Sequence, residues 1–452
     1  MSFDAGLYSY GSLGNYVWHD EDVDGIQDDG EAGIADITVT LYEKVGDDYI
    51  EAASTKTDAD GYYLFDTLNP NDYQVKIKVP VGYKLSDTNE GSDDEKDSDF
   101  NPWDYSSETV FIESGEHDLS IDAGIYQLSQ LGNYIWLDKN ADGIQGDDED
   151  GIENVKVKLL NAFGFEIAST STDAEGFYLF DELEVGEYKI EVIPPAGFVA
   201  SEKNVSDDTK DSDIDAETFK TDSITIASSN VSDLSLDAGL YQKAAVGDYV
   251  WEDMNSNGIQ EATEPGIEGI QVTLFLPDDS TKVTKTDENG FYEFTDLVPG
   301  TYKVHFDMPS GYILSPTKAG ADEALDSDAN QDTRLTDEII LESNDVISTI
   351  DAGFYRPVRI GDYVWLDKNR DGIQDPSEKG IKGINVKLIL SDDTTIETET
   401  DENGFYEFDN LTPGTYKVVF KAPERHRFTV LYAGSQEKDS NADTRSGMSD
   451  EI

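Results

Sequence analysis

The residues from Gly361 to Leu388 read GDYVWLDKNRDGIQDPSEKGIKGINVKL. A short run ending in Trp365 is followed by an acidic loop, and the loop is followed by a segment in which apolar and polar residues alternate. Alternation over a few positions is typical of a half-buried β-strand. No segment of the chain keeps the 3.6-residue apolar period of a helix, so this stretch predicts an all-β fold.

The same stretch occurs four times in the 452 residues. Each copy has the same order of segments: an acidic loop, an alternating strand, a Gly turn with an aromatic pair, a further strand and an Asp-rich stretch. In the first three copies this stretch leads to a last strand. The tryptophans that mark the copies lie 118, 115 and 114 residues apart, at Trp18, Trp136, Trp251 and Trp365. Self-similarity of this kind indicates a tandem array of structural repeats.

The spacing of turns predicts about seven short strands in each copy, which is typical of an immunoglobulin-like β-sandwich. Short linkers such as 127–130 and 242–245 leave neighbouring sandwiches little freedom, so we expect an extended rod. The ends appear out of phase with the repeat, so we expect the fourth copy to lack its last strands. The predicted domains are a tail strand of a preceding repeat at 1–10 and four repeats at 11–127, 128–242, 243–356 and 357–452.

The composition limits the class of partner. The chain has 32 Lys and Arg against 97 Asp and Glu, a formal charge of −65, which repels nucleic acid and attracts cations. Disorder is excluded because 37% of residues are hydrophobic and 11% are aromatic, in regularly spaced groups. No apolar run is long enough to cross a bilayer, so no membrane insertion is predicted in this segment.

Two features of the sequence concern the compartment. The absence of cysteine is compatible with the cytoplasm or with a secreted fold held together by something other than disulfides. The first residues, MSFDAGLYSYG, lack the basic start and apolar core of a signal peptide. We therefore expect any targeting or anchoring segment to lie outside this piece.

The loop after each tryptophan matches the calcium-loop pattern D-x-[DN]-x-[DN]-G-x5-E. Calcium takes about six to eight oxygen ligands, and alternate side chains of a tightly curled loop converge on one point. Glycine permits the sharp turn, and a glutamate at position 12 can bind with both oxygens. The alternative is a solvated acidic turn. The candidate ligands, to which each isoleucine contributes its carbonyl, are Asp20, Asp22, Asp24, Ile26, Asp28 and Glu31; Asp138, Asn140, Asp142, Ile144 and Glu149; Asp253, Asn255, Asn257, Ile259, Glu261 and Glu264; and Asp367, Asn369, Asp371, Ile373, Asp375 and Glu378.

The Asp-rich stretch supplies a candidate second metal site in each copy. Closely spaced carboxylates repel one another unless a cation lies between them. The alternative is a plain solvated loop. The candidate ligands are Asp97, Asp99, Asp211, Asp213, Asp326, Asp328 and Asp439, with further acids just before them at Asp93, Asp94, Asp207 and Asp208.

Other recurring residues have structural interpretations. The tryptophans are expected in the core rather than on a carbohydrate platform. The turns that begin at Asp58, Asp173, Asp287 and Asp401 are interpreted as hairpin turns, with metal ligation as the alternative. In the DAG motifs, Asp122, Asp237 and Asp351 are expected to fix a strand end, and Gly124, Gly239 and Gly353 to mark a bulge or turn.

Catalysis has little support in the sequence, so the chain is not expected to be an enzyme. The four histidines fall at non-equivalent places in the repeats, and there is no thiol. No nucleophile elbow and no phosphate-binding glycine loop are present.

The stretch 361–388, followed by TDENGFYEFDNLTPGTYKVVF at Thr400–Phe420, resembles the B-type repeats of serine–aspartate-repeat surface adhesins, relatives of the Cna-B-like domains. The resemblance covers essentially the whole chain. It implies a prealbumin- or immunoglobulin-like sandwich, calcium in the DxNxDG loop and in further acidic loops, and a stalk at the bacterial cell surface or cell wall. Some relatives carry a Lys–Asn crosslink. Here the aligned positions are Thr40, Lys158, Thr273 and Lys387, so a crosslink in every copy is not expected.

The leading hypothesis is therefore a calcium-stiffened structural stalk or spacer, with calcium and the neighbouring repeats as partners. The alternative is that the repeats themselves bind an extracellular host protein or a glycan. A head domain would break the repeat pattern, and nothing in this segment does.

Overall fold

The computed structural model describes residues 4–206, 209–435 and 437–452. The chain divides into two units, Met1–Gln242 and Lys243–Ile452, and each unit contains two of the four copies. All regular elements in the described residues are β-strands, which confirms the predicted all-β class. Among these residues there is no helix with the length and hydropathy that crossing a bilayer requires.

The strands of the first unit follow the same order in both copies. Copy one contains β1 (Gly11–His19), β2 (Thr38–Val45), β3 (Asp48–Lys56), β4 (Tyr62–Leu68), β5 (Asn71–Lys78), β6 (Tyr83–Leu85), β7 (Val110–Ile112), β8 (His117–Asp118) and β9 (Ala123–Gln127). Copy two contains β10 (Ser129–Leu137), β11 (Lys156–Asn161), β12 (Glu166–Ser171), β13 (Phe177–Leu183), β14 (Gly186–Ile193), β15 (Phe198–Ala200), β16 (Ile224–Ile226), β17 (Ser232–Asp233) and β18 (Ala238–Gln242).

The second unit repeats this order. Copy three contains β19 (Ala244–Glu252), β20 (Gln271–Phe275), β21 (Thr281–Lys285), β22 (Phe291–Leu297), β23 (Gly300–Phe306), β24 (Ile313–Leu314), β25 (Ile339–Leu341), β26 (Val346–Ile347) and β27 (Ala352–Tyr355). Copy four contains β28 (Val358–Tyr363), β29 (Asn385–Ile389), β30 (Thr395–Glu399), β31 (Phe405–Leu411) and β32 (Lys417–Phe420).

The described residues of each of the first three copies thus form nine strands rather than the predicted seven. The additional strands are two or three residues long, which is too short for alternation to reveal them. In copy one the strands form two sheets, β4-β1-β9-β6 with β8 beside β1, and β3-β2-β5-β7. Copies two and three have the same sheets, and copy four has β28-β31 and β30-β29-β32.

The first and last strands of a copy pair in parallel. In copy one, Val17 lies opposite Ala123 and His19 lies opposite Ile125. Because the two strands run in the same direction, the end of β1, where the acidic loop begins, lies at the same end of the sandwich as Gln127. The chain leaves for the next repeat at that residue, so the loop lies beside the following linker, an arrangement that the sequence did not reveal.

The core lies between the two sheets and contains the residues that alternation predicts. Val39 and Leu41 are buried, whereas Thr38 and Thr40, which alternate with them, are half-buried. Burial of each such side chain contributes roughly 1.5–3 kcal/mol. The tryptophans belong here as well: Trp18, Trp136 and Trp251 are fully buried and Trp365 is half-buried. This confirms the packing role for the first three and excludes a surface platform made from them.

The DAG glycines do not mark a bulge or turn, and that prediction is wrong. Gly124 lies within β9, paired with Trp18. A Cβ atom on Gly124 would lie 2.8 Å from Cζ2 of the Trp18 indole, and Gly239 and Gly353 have the same contact with Trp136 and Trp251. Glycine is needed because the indole lies so close to the neighbouring strand that there is no space for a side chain at this position.

The segment before copy one forms no strand in its described part. Residues 4–10 are exposed, and the Ser9 carbonyl accepts a hydrogen bond from the Gly115 amide at 3.1 Å. Met1, Ser2 and Phe3 lie outside the described residues. The assignment of this segment to a preceding repeat remains a prediction.

Candidate metal centres

The first aspartate of each acidic loop anchors the loop backbone. Asp20 is fully buried, and its Oδ1 and Oδ2 accept hydrogen bonds from the amides of Val23 at 2.7 Å and Gly25 at 2.9 Å. Gly25 has φ +77°, the left-handed conformation that the predicted sharp turn requires. Asp138 and Asp253 are equally buried, and with Asp367 they bond the equivalent glycine amides.

The next two acids of loop one converge with Asp20. Carboxylate oxygens of Asp20, Asp22 and Asp24 all lie within 4.8 Å of one another. Desolvation, with the neighbouring Asp24 carboxylate second, raises the pKa of Asp22. Three oxygens at this separation can share one cation of the size of calcium, which prefers such hard ligands.

The glutamate at position 12 closes the loop through the backbone. Glu31 accepts hydrogen bonds from the Glu21 amide at 2.6 Å and from the Asp28 amide at 2.9 Å, one on each carboxylate oxygen. Glu149, Glu264 and Glu378 make the same pair of bonds in their copies. Carboxylate oxygens keep further lone pairs, so the ligand role of these glutamates remains a prediction.

The other loops are less acidic and use their amides internally. In copy three, Asn255 and Asn257 donate from Nδ2 to the Glu261 carboxylate. Asn140 donates to Asp142, while Asn369 donates to Asp371 and Asp375. Copy two has Gly146 in place of Asp28. Within the described residues, three carboxylates of one acidic loop come together only in loop one.

The Asp-rich stretch lies directly against the acidic loop. In copy one Ile26 forms a β-bridge with Asp97, and the bonds run from the Gln27 amide to the Lys96 carbonyl at 2.7 Å and from the Ser98 amide to the Gly25 carbonyl at 3.1 Å. These bonds leave the Ile26 carbonyl out of the bridge. The bridge recurs as Ile144–Asp211, Ile259–Asp326 and Ile373–Asp439. The two sites predicted separately are therefore parts of one acidic region in every copy.

The second candidate site, whose middle aspartate is buried, fits a cation. In copy one, Asp94, Asp97 and Asp99 offer oxygens within 4.8 Å of one another. Desolvation, with Asp94 as the next cause, raises the pKa of Asp97. Its Oδ1 is buried without a hydrogen-bond partner in the described residues, as are Oδ1 of Asp211 and Oδ1 of Asp326. A buried carboxylate oxygen without a partner is costly, and a bound cation would supply the missing partner.

The remaining members of this site vary between copies. Asp439 is buried and receives a hydrogen bond from Asn441, which takes the place of the third aspartate. Asp213 and Asp328 each accept the amide of a DAG aspartate, at 2.7 Å and 2.8 Å. Asp207 and Asp208, named in the sequence as neighbouring acids, lie outside the described residues.

The DAG aspartate ties this site to the first strand. Asp122 accepts from the Tyr16 amide and from the Asn15 side chain, both at 2.9 Å, and its own amide donates to Asp99 at 2.7 Å. This confirms its role at the strand end. Burial is the main cause that raises the pKa of Asp99 to about 7 and that of Asp122 to about 8. A cation beside such a pair would favour the charged forms.

The Gly turns after the third strand are tight turns that lead from one sheet to the other, so the interpretation as hairpins is wrong: β3 belongs to the sheet β3-β2-β5-β7 and β4 to the sheet β4-β1-β9-β6. The alternative, metal ligation at these turns, remains a prediction. Oδ1 of Asp58 accepts the amides of Asp60 at 3.0 Å and Tyr62 at 2.9 Å, and Gly61 has φ +91°. A Cβ on Gly61 would lie 2.6 Å from Cα of Gly33 at the end of the acidic loop. The turn therefore packs against the end of the acidic loop through the contact between these two glycines.

The lysines at the crosslink position form ion pairs. Nζ of Lys158 lies 3.4 Å from Glu166 and 3.6 Å from Glu191, and Nζ of Lys387 lies 2.9 Å from Glu397. Their backbone neighbours Val157 and Val386 are buried in the core. The lysines thus lie beside carboxylates at the surface of the four- and three-stranded sheets.

Comparison with known proteins places these observations in a family. The profile of the SdrD B-like domain matches residues 11–125, 129–240, 244–354 and 358–452. Serine-aspartate repeat-containing protein D of Staphylococcus aureus (strain Newman) is 39% identical over 444 residues, which are 96% of this chain and 32% of the relative. Serine-aspartate repeat-containing protein F of Staphylococcus epidermidis (strain ATCC 12228) is 40% identical over 444 residues, 96% of this chain and 26% of the relative. The chain spans about a third of the length of the first of these relatives and about a quarter of the second.

The solved structures matched by this chain include the major pilin subunit BcpA of Bacillus cereus, at 14% identity and TM-score 0.26, covering 72% of this chain and 94% of the pilin. The Bacillus anthracis TIE protein has 12% identity and TM-score 0.28, covering 98% of this chain and 74% of that protein. Scores this low support no conclusion about function.

Proposed function

We propose, because the chain belongs to the SdrD B-like domain family, that this segment is a calcium-stiffened structural stalk or spacer of a bacterial cell-surface protein. The observation that carries the proposal is the acidic region that recurs in all four copies, in which the loop after the tryptophan is hydrogen-bonded to the Asp-rich stretch. The relatives named above are staphylococcal serine-aspartate repeat-containing proteins, which supports an extracellular location at the cell surface or cell wall.

Calcium would stabilise this fold, as disulfides stabilise other extracellular folds. The chain has no cysteine, yet its buried acids destabilise the folded state when no cation is bound. In copy one the ion would be held by Asp20, Asp22 and Asp24 in the loop, and a second by Asp94, Asp97 and Asp99. A ligand that binds only the folded state stabilises it by about 2.7 kcal/mol at one hundred times its Kd.

Calorimetric titration of the whole chain with calcium tests this function. We expect at least one ion for each of the four repeats, and more if the Asp-rich stretch binds its own ion. In chelator the melting temperature should fall and protease sensitivity should rise, because the acids then repel one another. An unchanged melting curve in chelator would remove the basis of the proposal.

The second candidate function is that the repeats bind an extracellular protein or glycan. The observation in its favour is a set of exposed aromatic side chains on loops of the first unit: Trp103 is 91% exposed and Phe163 is 84% exposed. Solvent-exposed aromatic side chains are a common feature of recognition surfaces. Binding of this segment alone to a glycan array or to host extracellular proteins, lost in Trp103→Ala, would favour this function over a passive spacer.

A further inference from the structure

The acidic loop of copy one contacts the next repeat directly. The Glu21 carbonyl, one residue after the first candidate ligand, accepts a hydrogen bond from the Ser229 amide of copy two at 2.7 Å. Ser229 lies between β16 and β17 and is buried, and its Oγ lies 3.3 Å from Nε2 of His19. A loop of one domain thus provides part of the surface on which its neighbour rests.

Both the backbone amide and the backbone carbonyl of Glu21 are hydrogen-bonded. Its amide donates to Oε1 of Glu31 at 2.6 Å, within the loop, while its carbonyl accepts from the following repeat. The loop conformation that brings Asp20, Asp22 and Asp24 together therefore also sets the position of the carbonyl that receives Ser229. A change in the loop conformation would therefore shift the Glu21 carbonyl, and a change in the contact with Ser229 would affect the loop.

Further contacts make this junction a defined interface. The Asn230 amide donates to the Gln127 carbonyl at 3.1 Å, and the Leu128 amide donates to the Gly82 carbonyl at 3.2 Å. Lys84 pairs with Glu184 at 2.5 Å, although both side chains are about half exposed, so this pair contributes little. The bonds to the linker and to the loop are the ones that orient copy two.

The second unit provides an independent example. Ser256, inside the acidic loop of copy three, donates from Oγ to the Pro413 carbonyl of copy four at 3.3 Å. Glu252, directly before the first loop aspartate as His19 is in copy one, pairs with Arg356 of the linker at 3.2 Å. Arg356 also lies over the Tyr312 ring, 4.8 Å from its centroid. Different side chains thus connect the loop to the following repeat in both units.

We propose that the acidic loop of a repeat is a site shared with the repeat that follows, so that cation binding in loop one and docking of copy two onto Glu21 and His19 are thermodynamically linked. The inference rests on the proposed function, since it assumes that the loop binds a divalent cation. The parallel pairing of β1 and β9 is its structural origin, because that pairing brings the loop and the outgoing linker to one end of the sandwich.

Linkage is reciprocal, so each event must promote the other by the same factor. Copy two, when docked, restricts the loop to the conformation that binds the cation, and the bound cation fixes the carbonyl that Ser229 requires. A single intramolecular hydrogen bond corresponds to about a three- to tenfold change in an equilibrium constant. We therefore expect an undocked junction to weaken cation binding at loop one by about that factor.

The test is hydrogen-exchange mass spectrometry of the full chain during titration with calcium chloride, which reports each loop on its own peptide. In Ser229→Pro the donor to Glu21 is absent, and the calcium midpoint of loop one should rise about three- to tenfold, while that of loop four stays unchanged. His19→Leu, which introduces the residue found at Leu137 and Leu366, should raise the midpoint less. Ser114→Pro is the matched control, because this turn of copy one contacts Ser9 and no acidic loop.

The linkage can also be measured in the reverse direction, as the effect of loop one on the docking of copy two. This measurement does not depend on whether the Ser229→Pro variant folds. Asp22→Asn should reduce the protection of residues 229–231 at a calcium concentration that saturates the wild-type chain. If loop one responds to calcium with the same midpoint in wild type, Ser229→Pro and His19→Leu, the linkage is wrong while the proposed function stands. If none of the four loops responds to calcium, the proposed function is wrong and the linkage fails with it.

Discussion

At the scale of single residues, the carboxylates of this chain differ in what their oxygens contact. Asp20 and Asp58 use their oxygens to accept backbone amides, which fixes a loop and a turn. Asp97 is buried like Asp20, yet its Oδ1 has no partner within the described part of the chain. The first kind of aspartate fixes the backbone conformation, whereas the second has an unpartnered oxygen that a bound cation would satisfy.

Asp97 gives a prediction whose sign depends on calcium. In chelator, Asp97→Asn removes a buried charge that Asp94 repels, so we expect copy one to be as stable as wild type or more stable. In saturating calcium the variant lacks a ligand, and we expect it to be less stable by about 1–3 kcal/mol. Hydrogen exchange of the β1 and β9 amides of the whole chain measures both values.

Asp47→Asn, in the exposed turn between β2 and β3, is the control and should change neither value. Equal destabilisation of Asp97→Asn with and without calcium would contradict a metal role and would indicate that the carboxylate has a purely structural partner.

Gly124 gives a second prediction at this scale. Gly124→Ala places a methyl group 2.8 Å from the Trp18 ring and 2.9 Å from Oγ of Ser86, so β9 or the indole must move. Overpacking of this kind costs about 1–3 kcal/mol, and the opening free energy of the β1 amides should fall by that amount. Gly6→Ala, where a Cβ meets nothing within 4 Å, is the control. A neutral or stabilising effect at Gly124 would show that the tryptophan is not tightly packed against β9.

At the scale of elements, each sandwich has one end where the acidic loop, the Asp-rich stretch and the Gly turn between the two sheets meet. The loop bonds the Asp-rich stretch through Gly25 and Gln27, and it contacts the turn through Gly33. None of these three elements has a strand partner of its own along most of its length. A cation among their oxygens would therefore stabilise the least regular part of the repeat.

The four loops should differ in affinity. Loop one has five candidate side-chain carboxylates, three of which come together, whereas loop three has asparagines that bond Glu261. Because charge count and rigidity tune affinity in such loops, loop one should respond at a lower calcium concentration than loop three.

Glu31→Gln and Glu264→Gln test the loops one at a time. Each removes a charge and one acceptor of a backbone amide, so each should weaken binding in its own loop by about tenfold, or ~1.4 kcal/mol. Peptide-resolved hydrogen exchange during a calcium titration separates the loops, and the untouched loop serves as the control. An unchanged midpoint in the substituted loop would show that its glutamate takes no part in binding.

At the scale of the whole molecule, the formal charge of −65 and the short linkers act together. Like-charged domains avoid side-by-side contact, most strongly at low salt. Linkers of a few residues cannot let neighbours fold back without breaking strand ends. From these two properties of the sequence, an extended rod remains our prediction.

Small-angle scattering measures this property. With calcium bound we expect the profile of an extended rod, and in chelator a more flexible chain with a broader distribution of distances. Magnesium at the same ionic strength controls for screening of charge. A compact globular profile in calcium would contradict the spacer and would favour domains packed around a common binding site.

The sequence by itself determined the repeat, the strand class and the residues of the loops. Alternation at Val39 and Leu41 predicts their burial, and the spacing from Asp20 to Glu31 predicts a curled loop, because both patterns depend on residues close together in the chain. The burial of Trp18 is also expected from its position at the end of a short strand beside an alternating one.

Only the tertiary structure decided which distant segments meet. The bridge between Ile26 and Asp97, the indole of Trp18 against Gly124 and the bond from Ser229 to Glu21 all join residues far apart in sequence. The physical reason is that the pairing of strands depends on burial of the apolar side chains of the whole sandwich. The local periodicity of the sequence does not determine that pairing. The parallel pairing of β1 with β9 is the decisive case, since it places the acidic loop at the end of the sandwich where the next repeat begins.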